Sequence, residues 1–148
     1  KEKDTLTLSA YQQTRQGKDG DDLQMRLTQI SRAELSTQLS AQKSLSALEI
    51  LARTPGQIAK ANGTLELTVL ADGKPMPEQW VQIINSKGNK GWWKQTDAQG
   101  RVDFELPSAG IWIFRTAVSQ LGTVIHKGNP MVQVDSTRSS LILQSRSE

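Results

Sequence analysis

The chain has 148 residues, 36% of them hydrophobic and 22% charged, a length that fits one domain burying roughly two-thirds of its unfolded surface and a composition too apolar for a disordered chain. Its 18 basic and 15 acidic residues leave a net charge of +3 and are interspersed without a basic run, which describes a solvated surface and argues against a nucleic-acid partner. Cysteine is absent, which excludes disulfides, thiolate metal sites and cysteine nucleophiles, and no run of about 18 apolar residues predicts a membrane span.

The opening Lys1-Glu2-Lys3-Asp4, without Met, fits a processed or excised chain from which an upstream leader has been removed. From Thr5 to Gln12, Leu6, Leu8 and Ala10 alternate with polar residues, which predicts a strand. Gln16 to Asp22 has the composition of a turn, and Leu23, Met25 and Leu27 then resume the two-residue period, so a hairpin is expected. Ser31 with Glu34 resembles a capping box, and Leu35 and Leu39 share a helical face. One or two helical turns are therefore predicted there, followed by a serine-rich loop to Ser46. Leu45 to Ala52 is a short apolar strand stopped by Thr54-Pro55-Gly56.

Beyond Asn62, runs of five to eight residues alternate with turn clusters, as a sandwich of antiparallel strands requires. Strands are predicted near 64–71, 80–85, 92–96, 101–106 and 111–118. Asp72-Gly73 supplies a hairpin turn, and Pro75 and Pro77 stop the strand that follows. Asp97-Ala98-Gln99-Gly100 is a tight turn whose Asp accepts backbone hydrogen bonds and whose Gly takes a positive φ. Ile111 to Val118 is apolar enough to be buried on both faces. Met131–Val134 and Ser140–Gln144 are two further strands, and Ser145–Glu148 a tail. The expected fold is an all-β, antiparallel immunoglobulin-like or prealbumin-like sandwich over residues 48–148. Residues 1–47 form an N-terminal extension, a β-hairpin and serine-rich connector that belongs either to the same sandwich or to a truncated upstream one.

Particular residues carry a family likeness. Gly73-Lys74-Pro75, Val81-Gln82-Ile83, Thr96-Asp97-Ala98-Gln99-Gly100-Arg101-Val102-Asp103-Phe104 and Leu106-Pro107-Ser108-Ala109-Gly110-Ile111-Trp112 resemble the prealbumin-like, carboxypeptidase-regulatory-like repeat of bacterial extracytoplasmic modules. The succession is most similar to the DUF4198 family, in which a strand of the Leu48-Glu49-Ile50 type precedes the Gly-Lys-Pro strand. The likeness covers residues 48 to 118. It implies a periplasmic location and, because some members are named nickel or cobalt uptake accessory proteins, a role beside a metal transport system.

The residues themselves do not predict a metal centre or any other cofactor. A transition metal asks for four ligands, or three and a water, and His126 is the one histidine. It is expected in an exposed loop from Gly122 to Asn129. There is no Gly-x-Ser-x-Gly elbow, and Asp21-Asp22 and Asp103 with Glu105 lack the apolar setting that raises a carboxyl pKa for acid catalysis. The chain is therefore expected not to be an enzyme.

The tryptophans resist a purely structural account. Trp92 and Trp93 are neighbours on a strand and must point to opposite faces, one into the core and one outward. They are the candidate ligand- or partner-binding residues, whether by docking a protein, stacking on a sugar or covering a sheet edge. Trp80 and Trp112 are expected in the core. The expectation is thus a non-enzymatic periplasmic or envelope-associated binding module for a protein partner or small ligand. Its rivals are a carbohydrate-binding module and a nickel- or cobalt-binding protein whose ligands lie upstream of Lys1.

Overall fold

The computed structural model describes residues 6–16, 23–34, 39, 47–54, 56–87 and 91–147. Ten strands form two sheets: β1 (Leu6–Gln16), β2 (Leu23–Glu34), β3 (Leu48–Ala52), β4 (Thr64–Ala71), β5 (Lys74–Pro75), β6 (Trp80–Asn85), β7 (Gly91–Gln95), β8 (Arg101–Glu105), β9 (Gly110–His126) and β10 (Asn129–Ser145). The larger sheet has the order β1-β2-β10-β9-β6-β7. In the smaller one β3 lies along one side of β4, while β5 and β8 share its other side. The protein is an all-β sandwich.

The two-residue period builds the core. In β4, β6 and β8 alternate positions turn inward: Leu65, Leu67 and Val69; Val81 and Ile83; Val102 and Phe104. These meet Trp112 and Phe114 of β9 and Leu141 and Leu143 of β10 in one cluster. Each such aliphatic or aromatic side chain contributes about 1.5 to 3 kcal/mol by leaving water. Trp112 is wholly buried, as expected, and its indole N–H donates to the carbonyl of Ser108 at 3.0 Å.

The turns follow their residues. Asp72 and Gly73 (φ 49° and 77°) join β4 to β5, and Lys127 and Gly128 (φ 48° and 80°) join β9 to β10, both with the paired positive φ of a hairpin whose twist matches its strands. The Asp97 carboxylate accepts the backbone N–H groups of Gln99 and Arg101, each at 2.9 Å, and Gly100 has φ 72°. The Arg101 backbone N–H above all, with the Gln99 N–H and the Arg101 guanidinium, holds the Asp97 carboxyl below its ordinary value despite some loss of solvation.

Several expectations are corrected. Ser31 to Glu34 begins no helix: it is the end of β2, with Ile30, Arg32 and Glu34 turned inward and Ser31 Oγ bonded to Ser140 Oγ at 3.0 Å. Of the serine-rich loop, only Leu39 falls among the described residues, and it is buried. Of the turn predicted from Gln16 to Asp22, residues 17–22 lie outside them, and Gln16 ends β1. The larger sheet is mixed, because β2 runs parallel to β10, from Leu23 beside Val132 to Glu34 beside Leu143. That pairing places β1 and β2 in the same sheet as β9 and β10. The two short strands expected at 131–134 and 140–144 are one strand of 17 residues, whose polar middle is held by β9 on one side and β2 on the other. β9 likewise runs on past Val118 to His126, so the Gly122–His126 backbone is strand rather than loop. Nor is β9 buried on both faces, since Ile111 and Arg115 are exposed while Trp112, Phe114 and Thr116 are covered.

Candidate functional site

The larger sheet has an inner face against the core and an outer face over which, among the described residues, no second sheet lies. β6 decides which residues reach the outer face. Val81, Ile83 and Asn85 point inward, so Trp80, Gln82 and Ile84 point outward. This corrects the expectation for Trp80, which is 53% exposed. Its apolar neighbours suggested a core position, but the alternation along the strand sends it the other way.

The edge strand β7 separates the two candidate tryptophans as strand geometry demands. Trp92 pairs with Ile83 and faces inward, its ring 5.8 Å from those of both Phe104 and Trp112. It closes the open side of the core and is still 39% exposed, because no strand flanks β7 on its far side. Trp93 pairs with Gln82 and faces outward, 61% exposed. The structure therefore brings Trp93 together with Trp80 and leaves Trp92 on the other face.

Cross-strand register assembles the rest. One row crosses the sheet from Trp93 through Gln82, Arg115 and Ser140 to Ser31. Two residues along, a second row places Ala117, Arg138 and Gln29 side by side, with Trp80 at its β6 end. Trp80 is held there by its carbonyl, which accepts the Thr116 hydroxyl at 2.8 Å. The Gln79 amide beside it donates to Thr116 Oγ1 at 2.7 Å and to the Ala117 carbonyl at 2.8 Å. Thr96 fixes the loop that leads in, donating from its hydroxyl to the Met76 carbonyl at 2.6 Å and accepting from the Gln79 N–H at 2.8 Å.

Thr96 and Met76 apart, these residues line an open cleft of about 720 Å³, with Ile113 and Ile142 at one end and Glu78 on the turn into β6. Its volume lies within the range of small-molecule sites. Among the described residues Arg115 and Arg138 make no ion pair, whereas Arg26, Arg32, Arg53 and Arg101 each do. Two exposed indoles and two guanidiniums with no acidic partner thus share one face. Trp93 was expected on this face from the sequence, whereas Trp80, Gln82, Arg115 and Arg138 were not placed beside it. The missing signal was parity: fixing Val81 and Trp112 as inward assigns 80, 82, 115 and 117 outward.

The two tryptophans of β7 are expected to separate in stability. Trp92→Ala removes a ring packed on Phe104 and Trp112 and should cost about 2 kcal/mol, less than a fully buried tryptophan would. Trp93→Ala should stay within about 0.5 kcal/mol of the parent. Urea unfolding followed by far-UV dichroism measures both, and equal losses would contradict the assignment of faces.

Among the described residues no three His, Cys, Asp or Glu side chains gather as metal ligands, and no helix is long and apolar enough to cross a membrane. Residues 15–120 match the model of a family described as a domain of unknown function, DUF4198. The match reaches further toward the N-terminus than the motifs between 48 and 118, taking in β2 and the end of β1. No curated protein and no solved structure matches the chain.

Proposed function

Because the chain belongs to the DUF4198 family, whose description names no activity, we propose from its geometry that it is a non-enzymatic, periplasmic or envelope-associated binding module. Its ligand or partner docks on the outer face of the larger sheet. The observation that carries this is the convergence around one cleft of Trp80 and Trp93 with Arg115 and Arg138, which make no ion pair among the described residues. Exposed indoles and guanidiniums are the side chains that supply most energy at binding surfaces, since they combine large contact area with directed polar groups. Hydrogen bonds from Gln79 and Thr116 fix the Trp80 end before any ligand arrives, which lowers the ordering cost of binding.

The lining residues favour binding over hydrolysis. Among the described residues Glu78 is the one carboxylate of the lining, whereas glycoside hydrolysis requires a pair flanking the scissile bond. Beside a metal transport system, such a module would contribute a docking face.

A thermal-shift screen with neutral and acidic oligosaccharides, acidic peptides, and nickel and cobalt salts tests the proposal, because a ligand that binds only the folded chain raises its melting temperature by mass action. The expected result is a compound that stabilises the parent and loses most of that effect in Trp80→Ala/Trp93→Ala. A compound that stabilises both proteins equally binds elsewhere and would remove this face as the site.

A further inference from the structure

Building on that binding face, we infer that its ligand class is an acidic oligosaccharide, a chain of sugar rings bearing carboxylate or sulfate groups. The floor of the cleft is the face of β6, β9 and β10, which are paired on both sides where β6 runs between β7 and β9 (Gln82–Ile84), β9 between β6 and β10 (Trp112–Arg115) and β10 between β9 and β2. Backbone groups there are spent within the sheet, so recognition on this floor is by side chains, which suits a ligand rich in hydroxyls. A peptide that adds a strand would instead pair along the edge of β7, beside the cleft rather than over it.

The side chains supply what such a sugar needs. Trp80 and Trp93 offer flat apolar surfaces for the C–H faces of sugar rings. Gln29 and Gln82 each carry an amide that donates and accepts, and the bonded Ser31–Ser140 hydroxyl pair lies in the Trp93 row. Arg115 and Arg138 carry the planar fork that binds carboxylate or sulfate through two parallel hydrogen bonds. Glu78 stands on the β6 side of the cleft, so the anionic groups of the ligand are directed toward β9 and β10.

Spacing argues for an oligomer. Trp93 and Arg115 are two strands apart, as are Trp80 and Arg138, which is roughly 10 Å between backbones. The two aromatic–cation pairs are displaced by two residues along the strands, about 7 Å. A repeated pair of contacts matches a ligand that itself repeats. An anion without a ring face would use only the arginines, and a neutral sugar only the tryptophans.

Isothermal titration of the full chain with short oligomers of galacturonate, mannuronate and guluronate, each beside its neutral methyl ester, tests the inference. We expect at least one acid to bind with a Kd below about 1 mM, its ester to bind about 10-fold more weakly or not at all, and affinity to fall at 0.5 M salt as charges are screened. Arg115→Ala, Arg138→Ala and Trp93→Ala should each weaken the acid about 10-fold or more while melting within a few degrees of the parent. If ester and acid bind alike, the acidic class is wrong while the binding face stands. If affinity depends on the arginines but not on Trp80 or Trp93, the site is a plain cationic patch and the saccharide is wrong. If none of the acids binds, the inference is overturned, whatever the wider thermal-shift screen returns for the face itself.

Discussion

Gly100→Val is expected to destabilise the fold by about 2 to 5 kcal/mol, adding the strain of a left-handed β-branched residue to that of overpacking. Gly100 is buried where β5 and β8 meet end to end along β4, and Val69 bonds to both sides of that joint. The Val69 N–H donates to the Gly100 carbonyl at 2.8 Å, and the Val69 carbonyl accepts from Met76 N at 2.9 Å. A Cβ on Gly100 would lie 2.8 Å from Met76 N and 3.0 Å from both Pro75 Cβ and the Val69 carbonyl. Two of these three are backbone atoms hydrogen-bonded to each other and cannot swing aside. Gly73 is the control. Its φ of 77° is nearly that of Gly100, but a Cβ there meets nothing within 4 Å. Gly73→Asn should therefore cost under about 1 kcal/mol, since Asn tolerates the left-handed region. Urea midpoints for Gly100→Val, Gly100→Asn and Gly73→Asn separate φ strain from crowding. If Gly100→Asn is as mild as Gly73→Asn, the joint has no close packing to protect.

The Thr96–Arg101 turn was legible because its chemistry is local: an Asp, a Gly and four residues determine it, and the strands it joins alternate cleanly. The same holds for Leu65, Leu67, Val69, Val102 and Phe104. Legibility fails where one face of a strand is apolar for reasons outside the core. Ile111 to Val118 read as doubly buried because Ile111 and Ile113 are as apolar as Trp112 and Phe114, yet among the described residues nothing covers the outer face, and its apolar residues border a cleft. Trp80 was misassigned on the same ground. The outer-face cleft was invisible for a further reason: Arg115, Arg138 and Gln29 come from three strands separated by up to about a hundred residues, and only register brings them together.

At Ser31–Glu34 a local pattern and a tertiary fact disagreed, and the tertiary fact won. Ser-x-x-Glu is a helix start on an isolated chain, but here the inward positions are the charged Arg32 and Glu34, which hid the alternation of a strand. Charged residues can occupy inward positions only where other charges meet them. Arg32 Nη2 lies 3.5 Å from Glu49 Oε1, with both side chains within 4% of full burial, and Glu34 is buried on the same strand face.

This buried pair joins β2 of the larger sheet to β3 of the smaller, and it sets the second large expected effect. Arg32→Ala should destabilise the protein by about 3 to 5 kcal/mol, because it removes the guanidinium beside Glu49 while Glu34 and Glu49 stay in a low-dielectric interior. Glu49→Ala should also destabilise, because it takes one carboxylate away from the buried Arg32 guanidinium. The two losses should not add. In Arg32→Met/Glu49→Leu the guanidinium and the Glu49 carboxylate leave together and apolar atoms of similar volume take their place while Glu34 stays, so the double variant should lose clearly less than the sum of the two single losses. Contact between the charges at 3.5 Å is long for a hydrogen bond, which points to desolvation rather than bond strength as the source of the single-variant losses. A double-mutant cycle from urea midpoints measures the coupling directly. Additive losses in the double variant would mean that Arg32 and Glu49 act on stability independently, and that the pair does not tie the N-terminal strands to the sandwich.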